Sequence, residues 1–225
     1  MKDQLRKLFI GYAKEGDTHQ VDSLKEHLNK IQSVWEGELY EDYGIERIFR
    51  LFLISAKLLF PGIYVKLIFS NGEFLLRKLT GEIYVIAKTV IPFLILYFGG
   101  STNPFLLALN LYMLLETLIY IFNKIFVSEH ETETAHRRSI LLLFFNYIEV
   151  ILAYAVIYSS GHHMNIPLQT YLDAIYFSAI SGSTVGYGEI YPVTAFGKIV
   201  VICQTLTSVS FIVLFFNFFG SKIRD

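Results

Sequence analysis

Residues 170–192 read TYLDAIYFSAISGSTVGYGEIYP, and the chemistry this segment can do lies in its backbone. Gly186 and Gly188 can take backbone angles closed to other residues. That freedom lets the carbonyls of Thr184, Val185, Gly186, Tyr187 and Gly188 point the same way, into a narrow axis. When several copies of the segment surround one axis, rings of such oxygens replace the water shell of a dehydrated cation, and the Thr184 hydroxyl adds a further ring. Thr170 and Asp173 have the spacing of a capping box, a hydroxyl at the N-cap and an acid three residues on. They open a short helix running to about Ala179, too short to cross a bilayer. Its partly negative C-terminal end favours a cation beyond it.

Non-helical backbone of this kind is tolerated at membrane depth only where it is buried or lines a cavity, so the flanking elements must be spans. Composition agrees: hydrophobic residues make up 53 % and charged residues 17 %, with a net charge of -1 that suggests no nucleic-acid partner. A spanning helix needs about 20 mostly apolar residues. Residues 83–99, 105–124, 139–160 and 196–219 supply four such segments. The first is interrupted by Lys88 and by Pro92, which should kink it. Gly99 to Pro104 is a tight turn signal that makes residues 83–125 a helical hairpin.

The rest of the chain is less apolar. Residues 46–82 begin with a run interrupted by Arg50, Lys57, Pro61, Gly62 and Lys66, read as amphipathic helices lying in the membrane interface, with a fifth span as the alternative. Residues 1–45 form a cytoplasmic helical segment, with Val21, Leu24, Leu28 and Ile31 at helical spacing and Asp17 or Thr18 as N-cap. The N-terminus lacks an apolar core, so no cleavable signal peptide is expected. Positive charge at Arg77, Lys78, Lys124, Arg137, Arg138, Lys222 and Arg224 puts both termini on the cytoplasmic side; a cell-surface membrane is the expected location. The single cysteine, Cys203, reads as packing.

Placed after a capped short helix and between two spans, Thr184 to Gly188 resembles the filter of the potassium-channel superfamily. The resemblance covers 139–219, the outer helix, pore helix, filter and inner helix of bacterial-type pore modules. It implies an all-α membrane protein with four transmembrane helices plus a re-entrant pore helix and filter loop per subunit. It further implies selective, passive potassium conduction, four copies around one axis as a homotetramer, and no cofactor besides potassium ions in the filter. Glu189 stands where the family usually has aspartate, and Tyr176 and Phe177 where many relatives carry tryptophan. The Tyr176 hydroxyl is expected to reach Glu189 behind the filter. Ile180 supplies no acidic partner, and Ser183 replaces a common threonine.

Gln204, Thr205 and Ser208 are polar positions in the apolar last span, read as cavity-lining, with helix-to-helix hydrogen bonding as the alternative. Ser208 stands where relatives bend at glycine, so a straighter inner helix and a narrow inner end are expected. No repeated-arginine helix is present, so steep voltage gating is not expected. Control then falls to the N-terminal 82 residues, the 125–138 loop or the lipid. His130, Glu131, Glu133 and His136 have metal-ligating side chains without a fixed geometry, and His162 and His163 lie at the outer mouth as possible proton sensors. A non-conducting or regulatory subunit is the main competing reading. A transporter subunit would carry four copies of the module in one chain, and no catalytic constellation suggests an enzyme.

Lys88, Glu116 and Glu149 lie inside spans, where one charge costs at least about 2.5–3.5 kcal/mol. Each is 11 residues from the outer end of its helix, at Gly99, Phe105 and Ser160. All three therefore lie roughly 16 Å deep, at about 1.5 Å per residue. A Lys88–Glu116 ion pair is expected across the hairpin, joined by Glu149 if the hairpin packs on the outer pore helix.

Overall fold

The computed structural model describes residues 23–36, 44–68, 74–127 and 133–221. The expected caps Asp17 and Thr18, the loop residues His130 and Glu131, and Lys222 and Arg224 lie outside them. So do the side chains of Lys66, Arg77, Lys78, Glu133, His136, Arg137 and Arg138. The regular secondary structure among the described residues is all helical, with no strand. The helices are α1 (Ser23–Glu36), α2 (Ile45–Ala56), α3 (Pro61–Ile68), α4 (Phe74–Tyr97), α5 (Pro104–Phe126), α6 (Glu133–Tyr158), α7 (Tyr171–Gly182) and α8 (Ala195–Ser221). Short 3-10 turns stand at Lys57–Leu59 and Gly100–Thr102.

The chain divides into two compact units, Met1–Tyr84 and Val85–Asp225. In the first, α1 packs on α2 and buries Val34, Leu53 and Ile54. His27 Nε2 meets the Ile54 carbonyl at 2.9 Å, and Arg47 donates to the Trp35 carbonyl. The chain breaks at Phe60, just before Pro61, as proline's missing N–H and fixed φ require. On α2 the exposed side carries Ile45, Ile48 and Phe52.

The second unit holds the hairpin together with α6, α7 and α8. Four helices are long and apolar enough to cross a membrane: Thr80–Tyr97, Pro104–Phe126, Ser139–Tyr158 and Ala195–Phe216. α4 continues through Pro92 to Tyr97, and Gly99 just beyond it has a φ of 66°, the left-handed value that suits glycine. Asn103 then caps α5, its side chain accepting from Phe105 N and Leu106 N, with Pro104 at the first helical position. The hairpin is bolted to α6 by polar groups. Thr89 Oγ1 is shared between its own helix at Val85 O, 3.0 Å away, and the Phe145 carbonyl at 3.3 Å; Asn110 Nδ2 donates to the Ala153 carbonyl at 3.0 Å, and Ser101 Oγ to the carbonyl of Ser159, just past the end of α6, at 3.1 Å. Between hydrophobic helices in lipid such bonds are an associating force in their own right.

The core between α6, α7 and α8 is built from Val150, Tyr154, Tyr158, Phe177, Phe211 and Leu214. Tyr158 and Phe177 meet edge to face at 4.8 Å. Cys203, read as packing, is exposed on α8 instead. An inner helix that is apolar all round gives no sequence signal of which side faces in.

Candidate functional site

α7 is the platform. Asp173 N donates to Thr170 Oγ1 at 3.2 Å and Thr170 N to Asp173 Oδ2 at 2.8 Å, so two orphan donors are satisfied reciprocally. The helix runs 12 residues, about 18 Å at 1.5 Å per residue, which is short of a bilayer core. Its last turn hands over directly to the loop. Val185 N and Gly186 N both donate to the Ile180 carbonyl, at 3.0 and 3.2 Å, and Thr184 N donates to Ser181 O at 3.2 Å.

Three alternate residues of that loop have left-handed backbone: Thr184 (φ 60°), Gly186 (φ 53°) and Gly188 (φ 90°). A chain that switches handedness at every residue keeps its carbonyls on one side. At the glycines this costs little, whereas a β-branched residue there is strained by about 1–3 kcal/mol. Thr184 is the strained position. Ser183 to Glu189 are all exposed on the single chain. Beyond the loop, the Tyr176 hydroxyl donates to Glu189 Oε1, and this bond holds the carboxylate below its usual range.

Residues 142–225 match the family described as Ion channel. A stretch of 42 residues is 50 % identical to Potassium channel K2 of Plasmodium falciparum (isolate 3D7). It spans 19 % of this chain and 3 % of that relative. No solved structure matches the chain significantly. Over these residues the chain is similar to ion channels, a potassium channel among them. Its four helices long and apolar enough to cross a membrane are those of a multi-pass membrane protein.

Two of the residues expected to line a cavity do something else. Gln204 is fully buried: its Nε2 donates to the Ser178 carbonyl and to Ser178 Oγ, both at 2.8 Å, and its Oε1 accepts from Tyr158 at 2.6 Å. Ser178 Oγ donates in turn to the Ile151 carbonyl at 2.6 Å. Ser208 is buried against the end of α7, where a Cβ at Gly182 would come 3.3 Å from its Oγ and 3.2 Å from Gln204 Nε2. Gln204 therefore takes the helix-to-helix hydrogen-bonding alternative, and Ser208 packs beside it against α7. Thr205 is half-buried and donates to its own helix at Val201 O, 2.9 Å away.

Asn165 was invisible in the sequence. Its Nδ2 donates to the Glu189 carbonyl at 2.9 Å and its Oδ1 accepts from Tyr191 N at 2.8 Å, anchoring the strand that leaves the filter loop. A lone loop asparagine carries no pattern that announces this. His163 belongs to the same clasp: its carbonyl accepts from Val193 N at 2.9 Å and its ring lies 4.8 Å from Phe196. His162 is exposed beside it.

The intramembrane charges converge. Lys88 Nζ lies 3.3 Å from Glu116 Oε2 and 3.6 Å from Glu149 Oε1, and all three residues are buried. Lys88 also donates to Thr117 Oγ1 at 2.6 Å, and Thr117 donates to Glu149 Oε2 at 2.7 Å. Thr117 was not singled out in the sequence, because a threonine in an apolar run ordinarily bonds its own helix.

Proposed function

We propose that four copies of the chain assemble around one axis into a potassium-selective pore that conducts passively, with Thr184, Val185, Gly186, Tyr187 and Gly188 as its filter. The observation carrying this reading is the alternation of left-handed backbone at 184, 186 and 188, directly after a capped helix too short to span. In this reading the Thr184 hydroxyl and the carbonyls of Thr184 to Tyr187 coordinate the dehydrated ion, and the strain at Thr184 is relieved by the ions it holds. One loop per chain cannot enclose an axis, so the exposed face of Ser183 to Glu189 is completed by other copies.

The inner helix supports the same assembly. Its exposed apolar residues Ile199, Ile202, Leu206, Val209, Val213 and Phe216 recur at alternating spacings of three and four, the period of a seam between neighbouring helices. The exposed Ile45, Ile48 and Phe52 of α2 fit an interfacial helix lying on the cytoplasmic leaflet, on the same side as both termini. Gating without steep voltage dependence follows from the lack of a repeated-arginine span.

The test is ion flux from liposomes containing the purified full-length chain, comparing potassium, sodium and barium. Potassium should pass, sodium should be excluded, and barium should block. Equal potassium and sodium flux would overturn selectivity. No flux from a correctly assembled tetramer would favour the non-conducting subunit.

A further inference from the structure

Three helices meet behind the last turn of α7, and one side chain joins them. Gln204, on α8, directs its amide nitrogen at Ser178, 2.8 Å from the carbonyl and 2.8 Å from Oγ. Its Oε1 accepts from Tyr158, the last residue of α6, at 2.6 Å. Ser178 Oγ donates onward to the Ile151 carbonyl of α6 at 2.6 Å. Gln204, Ser178 and Tyr158 are all buried. The Gln204 amide thus finds its partners on α6 and α7, and none of these bonds is to its own helix.

The next three carbonyls of α7 are the ones to which the loop is tied. Ala179 O accepts from Ser183 N at 2.9 Å, Ile180 O from Val185 N and Gly186 N at 3.0 and 3.2 Å, and Ser181 O from Thr184 N at 3.2 Å. Four consecutive carbonyls are therefore held, the first from α8 and the other three by the loop. A Cβ at Gly182 would stand 3.2 Å from Gln204 Nε2 and 3.3 Å from Ser208 Oγ, so the glycine lets α8 come this close. A helical turn is stiff, and a displacement at Ser178 carries Ile180 O with it, and with that oxygen the backbone of Val185 and Gly186.

α8 is apolar all round, so apolar packing alone does little to fix its rotation about its own axis. One residue of slip is about 100°. Turning Gln204 away from α7 would leave its amide and the Tyr158 hydroxyl without partners, in surroundings that supply no substitutes. We infer that Gln204 is a positioning residue for the filter, fixing the rotation of α8 and the seat of the loop on α7 with one set of bonds. The inference rests on reading that loop as the filter. A rotation of the inner helix is then felt at Val185 and Gly186 through Ser178.

The experiment follows amide hydrogen exchange over the filter segment of the assembled full-length chain in lipid, and it needs no ion flow. Asn110→Leu is the control: it removes a buried bond from α5 to the Ala153 carbonyl of α6, away from α7. In Gln204→Leu, exchange at Val185 and Gly186 should rise roughly tenfold, the order of effect that one lost hydrogen bond gives. In Asn110→Leu it should stay at the wild-type rate, whatever happens to the melting temperature. Tyr158→Phe keeps both bonds to Ser178 and frees Oε1, so the same amides should show a smaller rise. An unchanged filter segment in Gln204→Leu, or an equal rise in Asn110→Leu, overturns the inference and leaves Gln204 a packing residue. If Gln204→Leu does not assemble, Tyr158→Phe decides: no rise at these amides over Asn110→Leu sinks the proposal. The two readings fail separately. A wild type that passes potassium and sodium equally from liposomes sinks the filter, whereas protected Val185 and Gly186 amides in Gln204→Leu sink only the role of Gln204.

Discussion

The filter loop and the charge cluster are the two places where this chain departs from apolar helix, and they handle polarity in opposite ways. Val185 and Tyr187 are 53 % and 71 % exposed, while Lys88 is 3 % and Glu149 0 % exposed. The loop turns its backbone outward, and in the proposed tetramer its partners are other copies and ions. The cluster finds nearly all its partners inside one chain, on three different helices. A mutation in the loop should therefore damage a shared device without unfolding the subunit, whereas a mutation in the cluster should damage the subunit itself.

The strongest way to sharpen this contrast is Gly186→Ala. A methyl group at φ 53° is disfavoured whatever the space around it, so selective flux should be lost entirely while the tetramer yield stays close to wild type. If the variant still prefers potassium over sodium in the liposome assay, the filter is wrongly placed. Lys88→Met should do the reverse. It leaves two buried acids without their base, at a cost of about 3–5 kcal/mol in soluble proteins, and should lower tetramer yield on gel filtration. Adding Glu116→Gln should recover part of that yield, and no recovery would mean the two residues are not coupled.

Gln204→Leu tests the boundary between the two regions. It strips the back of α7 of a donor and leaves the Tyr158 hydroxyl unpaired, which costs about 1–3 kcal/mol. A lower melting temperature with weakened potassium-over-sodium preference is expected; a lower melting temperature alone would make Gln204 merely structural. The smallest effect belongs to Tyr176→Phe. The Tyr176 hydroxyl keeps Glu189 ionised to lower pH than an ordinary carboxylate. Its stabilising contribution is present above about pH 4.3 and is lost as pH falls through the depressed folded value. The variant should therefore lose outer-mouth cation attraction at a higher external pH, seen as an upward shift in the acid limb of the flux profile.

Much of this was legible because it is local. The capping box at Thr170 and Asp173, the break at Gly99 to Pro104 and the four spans each follow from residues adjacent in sequence. Counting residues along the helices also placed Lys88, Glu116 and Glu149 at one depth, since rise per residue is fixed. Rotation is not fixed that way. α8 is apolar on every side, so nothing in its sequence tells that Gln204 and Ser208 face α7 while Cys203 faces out. Asn165 and Thr117 act through contacts 24 to 32 residues away in the chain, beyond the reach of any short pattern.

Along α6 and just past its end the residues that receive the hairpin are 145, 149, 153 and 159. The first three are spaced four apart, about 6 Å along the axis. A seam made only of leucines would have a ladder of nearly equal registers, one per turn. These rungs match in a single alignment, because a slip of one turn breaks several directed bonds at once, in a solvent that offers no substitutes. The outer helix and the hairpin are thus keyed like a shaft in a slot. A thinner or thicker bilayer can be met by tilting all three together, but not by sliding one past the others.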